Sequence, residues 1–205
     1  SIIDLLREEG IFEESLIILT ADHGEEFKEH GGILHSKLFR ETLHVPLIIR
    51  FPKGDHRGER IDHPVSTADI FPTIAGYLDP EKKLPVAQGE SLLSLIDGDG
   101  TYNRLPLSFS PWSTALRIVG EEYIYTDQWN AGTNRWLFSR KDFRGENNLA
   151  GRKKKVIAEM EEEAIRIIQK NNEFKKKLEA EDRTNPPSDI DPKLEKQLKA
   201  LGYLD

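Results

Sequence analysis

Residues 16–32 read LIILTADHGEEFKEHGG, an apolar, β-branched run that passes straight into aspartate, histidine, glycine and two glutamates. Leu16 to Thr20 have the composition of a strand. A strand ending in Asp-His sets a carboxylate and an imidazole at the carboxyl edge of a sheet, where open α/β folds build their sites. Gly24 then lets the backbone turn sharply. Asp22 and His23 can together bind a divalent cation: the carboxylate neutralises charge, and a neutral imidazole donates a lone pair of the kind zinc, manganese or iron accepts. Calcium asks for more oxygens. The alternative is a plain turn, with Asp22 capping the backbone and Gly24 at positive φ. The tripeptide alone leaves both readings open.

Outward from this stretch the chain keeps an α/β order. Ile2, Ile3, Leu5 and Leu6 fall at helical spacing, and Gly10 stops the pattern. KLFRETL (37–43) allows a short helix, and VPLIIRF (45–51) suits a buried strand. Helix, strand, loop, strand defines an α/β class. PKGDHRGER (52–60) is a turn-rich loop. STADIFPTIAGYL (66–78) opens with a capping signature, Ser66 or Thr67 ahead of Asp69, with Pro72 in the first turn and Ile70, Ile74 and Leu78 facing inward.

SLLSLIDGDG (91–100) is a short helical segment closed by Gly98 and Gly100, and the composition shifts after it. Residues 105–138 are short β-branched and aromatic runs with turn signals between them, which predicts a small antiparallel sheet. Residues 152–182 are strongly charged, with Val156, Met160, Ala164, Ile167 and Ile168 as a narrow apolar stripe on a surface helix. TNPPSD reads as a linker, and DPKLEKQLKALGYLD as a last helix with Asp191 as N-cap, Pro192 at its first position and Gly202 at its end. The expected division is 1–100, 101–183 and 184–205.

The totals narrow the classes of function. A chain of 205 residues with 37% hydrophobic content can bury a core. Its formal net charge of −7 disfavours nucleic acid and anionic membranes as partners. With no cysteine there is no disulfide, no Cys-ligated zinc and no thiol nucleophile. No apolar run approaches the roughly 20 residues that span a bilayer. The compartment is left open.

Four of the six histidines, His23, His30, His35 and His44, lie within residues 23–44, beside Asp22, Glu25, Glu26 and Glu29. Glu25, Glu26, Lys28 and Glu29 read as a solvated face, since charged loop residues seldom need a function. His44, next to a strand, reads as a packing or hydrogen-bonding residue, and His56 and His63 as loop residues.

TADHGEEFKEHGGILHSKLFRETLHVPLIIRFP (20–52) resembles the sulfatase branch of the alkaline phosphatase superfamily, where a strand ends in S/T-x-D-H/N-G-E and V-P-L-I-I follows. Further blocks keep the family's order: HPVSTADIFPTIAGYL, QGESLLSLIDG, LRIVGEEYIYT, a loose version of its L-Y-D-L block in WLFSRKDFRGENNLA, and LEKQLKALGYLD. The resemblance implies the C-terminal part of an alkaline-phosphatase-like mixed-sheet sandwich, followed by a small subdomain of antiparallel strands and helix. It implies that Asp22 and His23 are metal ligands at the end of a central strand, with calcium the ion it brings first and manganese or zinc after it. His35, eleven residues before Pro46, matches the lysine or histidine that contacts the sulfate group, where a cation or donor stabilises developing charge. Lys37 is the second candidate for that contact, and His30 has no assigned role.

The family nucleophile is a formylglycine made from Cys or Ser in C/S-x-P/A-x-R, upstream of the Asp-His block. The serines of SLLSL and SPWST are not read as nucleophiles, so Ser1 is expected to lie deep inside a parent sequence. The chain would then supply half of an active site, be inactive alone, and carry apolar strand faces able to self-associate. The implied reaction is metal-dependent hydrolysis of a sulfate ester, small molecule or carbohydrate. Hydrolysis of phosphodiesters or phosphonate monoesters, or phosphoryl transfer, on the same fold is the first alternative. A non-catalytic binding protein with a degenerate site is the second.

Overall fold

Ser1 starts the first helix by a reciprocal cap: its hydroxyl accepts from the Asp4 N–H, and the Asp4 carboxylate reaches back to the chain start. This helix, α1 (Ile2–Glu8), ends ahead of Gly10, which takes the left-handed conformation at φ +71°. The computed structural model describes residues 1–35, 37–81, 88–99, 102–110, 115–128 and 134–184. The chain divides into two compact units, 1–165 and 166–205. The stretches on either side of residue 100 share the first unit. The expected last helix and the linker beyond Thr184 lie outside the described residues, as do 111–114 of SPWST and 129–133.

Strand β1 (Ile17–Thr20) is followed by a small hairpin, β2 (Glu26–Phe27) with β3 (Ile33–Leu34), then by a four-residue helix, α2 (Arg40–Leu43), and β4 (Leu47–Arg50). β4 pairs antiparallel with β1, Ile17 opposite Arg50 and Thr20 opposite Leu47. Arg50 ties the α1–β1 connection to β4: its guanidinium donates to the carbonyls of Phe12 and Ser15, pairs with Glu13 at 2.7 Å and lies over the Phe12 ring. β4 is less buried than its composition predicts. Among the described residues β1 and β4 form a two-stranded sheet, and the cross-strand pair Leu19 and Ile48 is 54% and 61% exposed. This is the apolar strand face that the sequence anticipates.

The helix at 66–78 forms, but its inward face differs from the expected one. Ser66 caps a 3-10 turn, Thr67–Asp69, that runs into α3 (Ile70–Leu78). The buried positions are Asp69, Pro72 and Thr73, whereas Leu78 is 72% exposed and Ile70 and Ile74 are half-buried. The reason lies in Asp69. Its carboxylate, fully buried, accepts from the N–H of Ser66 (2.7 Å) and of Glu90 (3.0 Å) and from the Tyr102 hydroxyl (2.7 Å), with the Arg104 guanidinium 3.6 Å away. Thr73 extends the junction, donating to the Asp69 carbonyl and accepting from the Leu92 N–H just before α4 (Leu93–Ile96). Gly89 is required there, because a β-carbon would stand 1.9 Å from the Ala68 carbonyl oxygen. The turn of α3 is therefore directed at the 88–104 segment by polar bonds, and the apolar residues take what remains.

The C-terminal part is the expected antiparallel sheet, a meander in the order β5 (Leu107–Ser110), β6 (Ala115–Val119), β7 (Tyr123–Gln128) and β8 (Asn134–Ser139). Side chains alternate across it. Ile118, Tyr125 and Leu137, in register on one face, are fully buried. On that face the Tyr125 hydroxyl donates to Glu161 of α5 (Lys154–Thr184) at 2.7 Å, and Met160 closes over Gly120. Burial and the carboxylates of Glu161 and Asp127 push the Tyr125 phenol up. The buried stripe of α5 includes Ile157, Met160 and Ala164, while Ile168 stays exposed. A strict four-residue spacing drifts about 40° per step around a helix of 3.6 residues per turn, so Val156 and Ile168 cannot share its centre.

Replacing Asp69 with alanine should cost about 3–5 kcal/mol, because two half-buried N–H groups and a buried phenol lose their acceptor while Arg104 loses its counter-charge. Urea unfolding followed by circular dichroism measures it. A change under about 1 kcal/mol would show that the junction is held by its apolar contacts instead.

Candidate functional site

After Thr20 the chain leaves β1, and Asp22 and His23 follow two residues beyond its end. Gly24 does not take positive φ, as the turn reading would have it. It is needed for close approach: a β-carbon would lie 1.9 Å from the carbonyl oxygen of Glu41, and the Gly24 N–H donates to the Thr42 carbonyl at 2.8 Å. The 22–24 turn is thereby pressed onto α2.

That contact gathers the site. The His23 ring stacks on His35, centroids 4.0 Å apart and planes 27° from parallel. His23 Nδ1 stands 2.8 Å from the Gly24 carbonyl oxygen. A carbonyl can only accept, so Nδ1 carries a proton, and in the neutral ring Nε2 keeps its lone pair. Nε2 lies 3.7 Å from Asp22 Oδ2. Asp22 Oδ1 accepts from the His23 N–H at 2.9 Å; that bond, and then the imidazole charge, hold the Asp22 carboxyl below the usual carboxylate range. His35 Nδ1 faces Glu25 Oε2 at 3.6 Å, and Glu25 Oε1 is buried without a hydrogen-bond partner among the described residues.

The donor chemistry of Asp22 and His23 fits a divalent cation: an exposed carboxylate beside an imidazole whose free nitrogen is fixed by a second hydrogen bond. Among the described residues no group of three or more His, Asp or Glu side chains gathers to hold a metal.

Lys28 and Glu29 are exposed, as expected from the sequence, but Glu26 is not part of a solvated face. Glu26 is 1% exposed, and its Oε1 accepts the N–H groups of His30 (3.0 Å) and Gly32 (2.9 Å), with Lys37 Nζ 3.5 Å away. Burial pushes this carboxyl up, but the two N–H donors and the ammonium outweigh it and leave the pKa below its ordinary value. Lys37 is drawn to the same core, donating to the His30 carbonyl at 2.7 Å. Its ammonium also occupies the space a Gly32 β-carbon would need. Lys37 therefore holds the 26–37 loop, and His35 alone of the two expected anion contacts stacks on the Asp22–His23 turn. His30, with no role read from sequence, stacks on Phe39 at 3.7 Å and faces Glu41 at 3.3 Å. The sequence signal missed was Glu26 placed four and six residues before two loop N–H groups, a spacing that only the hairpin fold makes meaningful.

The remaining histidines have packing surroundings. His44 closes α2, and burial followed by the Arg40 charge pushes it down. His56 stands edge-on to Phe51 between Glu59 and Asp97, and His63 edge-on to Tyr102 near Glu121. Ser113 of SPWST heads a run, STALR (113–117), that satisfies C/S-x-P/A-x-R letter by letter. Its arginine, Arg117, is buried in β6 and donates to the Leu38 carbonyl at 2.7 Å. The run also lies downstream of Asp22–His23, the reverse of the expected order.

Residues 1–80 match the family model described as Sulfatase. The chain is 35% identical over 96 residues to the uncharacterized sulfatase YidJ of Escherichia coli, covering 45% of this chain and 19% of that protein. It is 35% identical over 144 residues to arylsulfatase K of Bos taurus, covering 67% and 25%. It thus spans about a fifth to a quarter of these curated relatives. Among solved structures it is similar to the phosphonate monoester hydrolase of Agrobacterium radiobacter (TM-score 0.68, 22% identity, 82% of this chain and 38% of that one) and to a 2-O GAG sulfatase (TM-score 0.66, 22% identity, 94% and 42%). At that identity these structures establish the fold, an alkaline-phosphatase-like α/β architecture.

Glu26→Gln should destabilise the loop by about 1–3 kcal/mol, since a carboxamide cannot serve two N–H groups and an ammonium as well. Because the folded pKa of Glu26 lies below its ordinary 4.5, its contribution is present above pH 4.5 and fades as the pH falls through the folded value. Melting curves from pH 6 downward check this: the variant should lose part of the wild-type acid sensitivity, and identical slopes would refute the assignment.

Proposed function

Because the chain belongs to the sulfatase family, we propose that it carries part of the active site of a metal-dependent sulfuric ester hydrolase. The observation that carries the proposal is the His23–His35 stack beside Asp22, which sets a carboxylate and two imidazoles on one edge of the α2-backed turn.

In this reading Asp22 gives a carboxylate oxygen and His23 its Nε2 to the ion. The Gly24 carbonyl, by holding Nδ1–H, keeps that lone pair directed outward. Calcium is the ion the resemblance brings first, while the imidazole donor suits manganese or zinc at least as well. When bound, the ion supplies positive charge to the sulfate oxygens as a Lewis acid. His35, oriented through Nδ1 by Glu25, contacts the sulfuryl group and stabilises charge developing there. The nucleophile, a formylglycine by the same resemblance, is assigned to a segment outside these 205 residues, so the chain alone should not turn over an aryl sulfate. The substrate class is a sulfated small molecule or carbohydrate, as the names of arylsulfatase K and the 2-O GAG sulfatase suggest.

Hydrolysis of a phosphonate monoester or phosphodiester is the second reading, favoured by the fold match to phosphonate monoester hydrolase. Both esters present a tetrahedral oxyanion to the same donors.

Turnover by the parent enzyme of an aryl sulfate, an aryl phosphonate monoester and a phosphodiester decides between them. Sulfate turnover should dominate. His35→Ala should lower kcat/KM by about 10²–10³, and Asp22→Asn with His23→Ala should remove the bound divalent ion seen by elemental analysis. Phosphonate or phosphodiester turnover without sulfate turnover would overturn the proposal.

A further inference from the structure

Beyond His35 the three consecutive carbonyls of Lys37, Leu38 and Phe39 are each met by a donor. The Lys37 carbonyl accepts from the Thr42 hydroxyl. The Phe39 carbonyl accepts from the same hydroxyl and from the N–H groups of Thr42 and Leu43. The carbonyl between them, of Leu38, is met from 79 positions away: Arg117 Nη1 donates to it at 2.7 Å. Backbone carbonyls withdrawn from water need such partners.

Arg117 is poorly explained as sheet packing. It sits in the middle of β6, opposite Thr126 of β7 and 6% exposed, on the face turned away from α5. Burial pushes its guanidinium down to about 10, with the Glu41 charge opposing that fall, so it remains a cation at neutral pH. Keeping a desolvated cation in a sheet is unfavourable where an apolar residue would fit. Among the described residues its one hydrogen bond goes to Leu38. Around that bond the loop and sheet pack incompletely, leaving a small cavity lined by His30, Phe39, Arg117, Ile124, Phe138 and Phe143. The Arg117 guanidinium thus reaches the loop beside a place where the packing is incomplete.

We infer that Arg117 is a positioning residue: from the C-terminal sheet it holds the Lys37–Phe39 backbone, and so sets where the His35 imidazole stands against His23. A guanidinium suits this task because its planar fork reaches a fixed carbonyl with little rotamer freedom left to lose. The tie makes the small sheet part of the catalytic half, not an appendage to it. Its consequence for catalysis rests on the reading of His35 given above; the tie itself does not.

The test uses the 205-residue chain for the tie and the parent enzyme for its consequence. Arg117→Met removes the donor at similar volume, Arg117→Lys keeps a donor, and Tyr125→Phe perturbs the opposite sheet face as a control. In the chain, NMR should show the His35 ring signals shifted and the Thr42 and Leu43 amides exchanging at least tenfold faster in Arg117→Met. Arg117→Lys should give an intermediate change, and Tyr125→Phe none. If Arg117→Met does not fold, Arg117→Lys decides alone: a shifted His35 supports the tie, and an unshifted one rejects it. Unchanged His35 signals in both variants, or equal changes in Tyr125→Phe, overturn the inference. In the parent enzyme kcat/KM for a sulfate ester should fall at least tenfold in Arg117→Met and recover in Arg117→Lys. If that enzyme hydrolyses no sulfate ester, the NMR result still decides the tie, and the failure belongs to the functional reading.

Discussion

The backbone of Gly24 meets the carbonyl of Glu41 so closely that no side chain can stand between them, and the rest of the site depends on that approach. The helix it presses on, α2, has four residues and no side-chain cap at its start, too short to persist on its own hydrogen bonds. It is held instead by what surrounds it: the Gly24 N–H on the Thr42 carbonyl, the Thr42 hydroxyl on the carbonyls of Lys37 and Phe39, and Arg117 on that of Leu38. With α2 fixed, the turn after β1 and the loop before α2 have one way to lie against each other. That arrangement stacks His23 on His35.

The carboxylates divide by burial into two jobs. Glu26 and Asp69 are almost wholly withdrawn from water and each is surrounded by donors: Glu26 gathers the N–H groups of its own 26–37 loop, and Asp69 joins the cap of α3 to Glu90 and Tyr102. A buried carboxylate is tolerable under that condition and unfavourable otherwise. Asp22 is the opposite case, 89% exposed and touching little beyond His23. An exposed carboxylate beside a fixed imidazole has lone pairs to give to a cation. The buried ones have already given theirs to N–H groups.

How much could be read from the chain follows this division. Periodicity and end signals located α1, β1, β4, α3, the antiparallel sheet and α5, because each is a local pattern of apolar residues bounded by a cap or glycine. Asp22, His23 and His35 were legible as a group because strand end, dense histidines and family order all mark them. Glu26 was not, since a Glu-Glu pair in a polar loop looks identical whether solvated or folded inward; the difference comes from the β2–β3 hairpin, two residues per strand, which no pattern announces. The inward face of α3 was misassigned for a related reason. Apolar spacing selected Ile70, Ile74 and Leu78, but the capping carboxylate of Asp69 fixed the rotation of the helix first.

The order of sequence blocks has a physical meaning here, because blocks far apart in the chain meet in pairs. The Asp-His-Gly turn meets the block that precedes β4 through Gly24 and Glu41. The Ser-Thr-Ala-Asp cap meets the Gln-Gly-Glu-Ser block through Asp69, Glu90 and the close approach of Gly89 to Ala68. The arginine strand meets the loop after His35 through Arg117 and Leu38. In each contact one side supplies a charged or glycine residue whose identity the contact dictates, and the other supplies mainly backbone, which any residue provides. A block can therefore keep one or two obligatory letters while the positions around them vary. This is why short, widely spaced motifs carry more information about the fold than the identity of any one run.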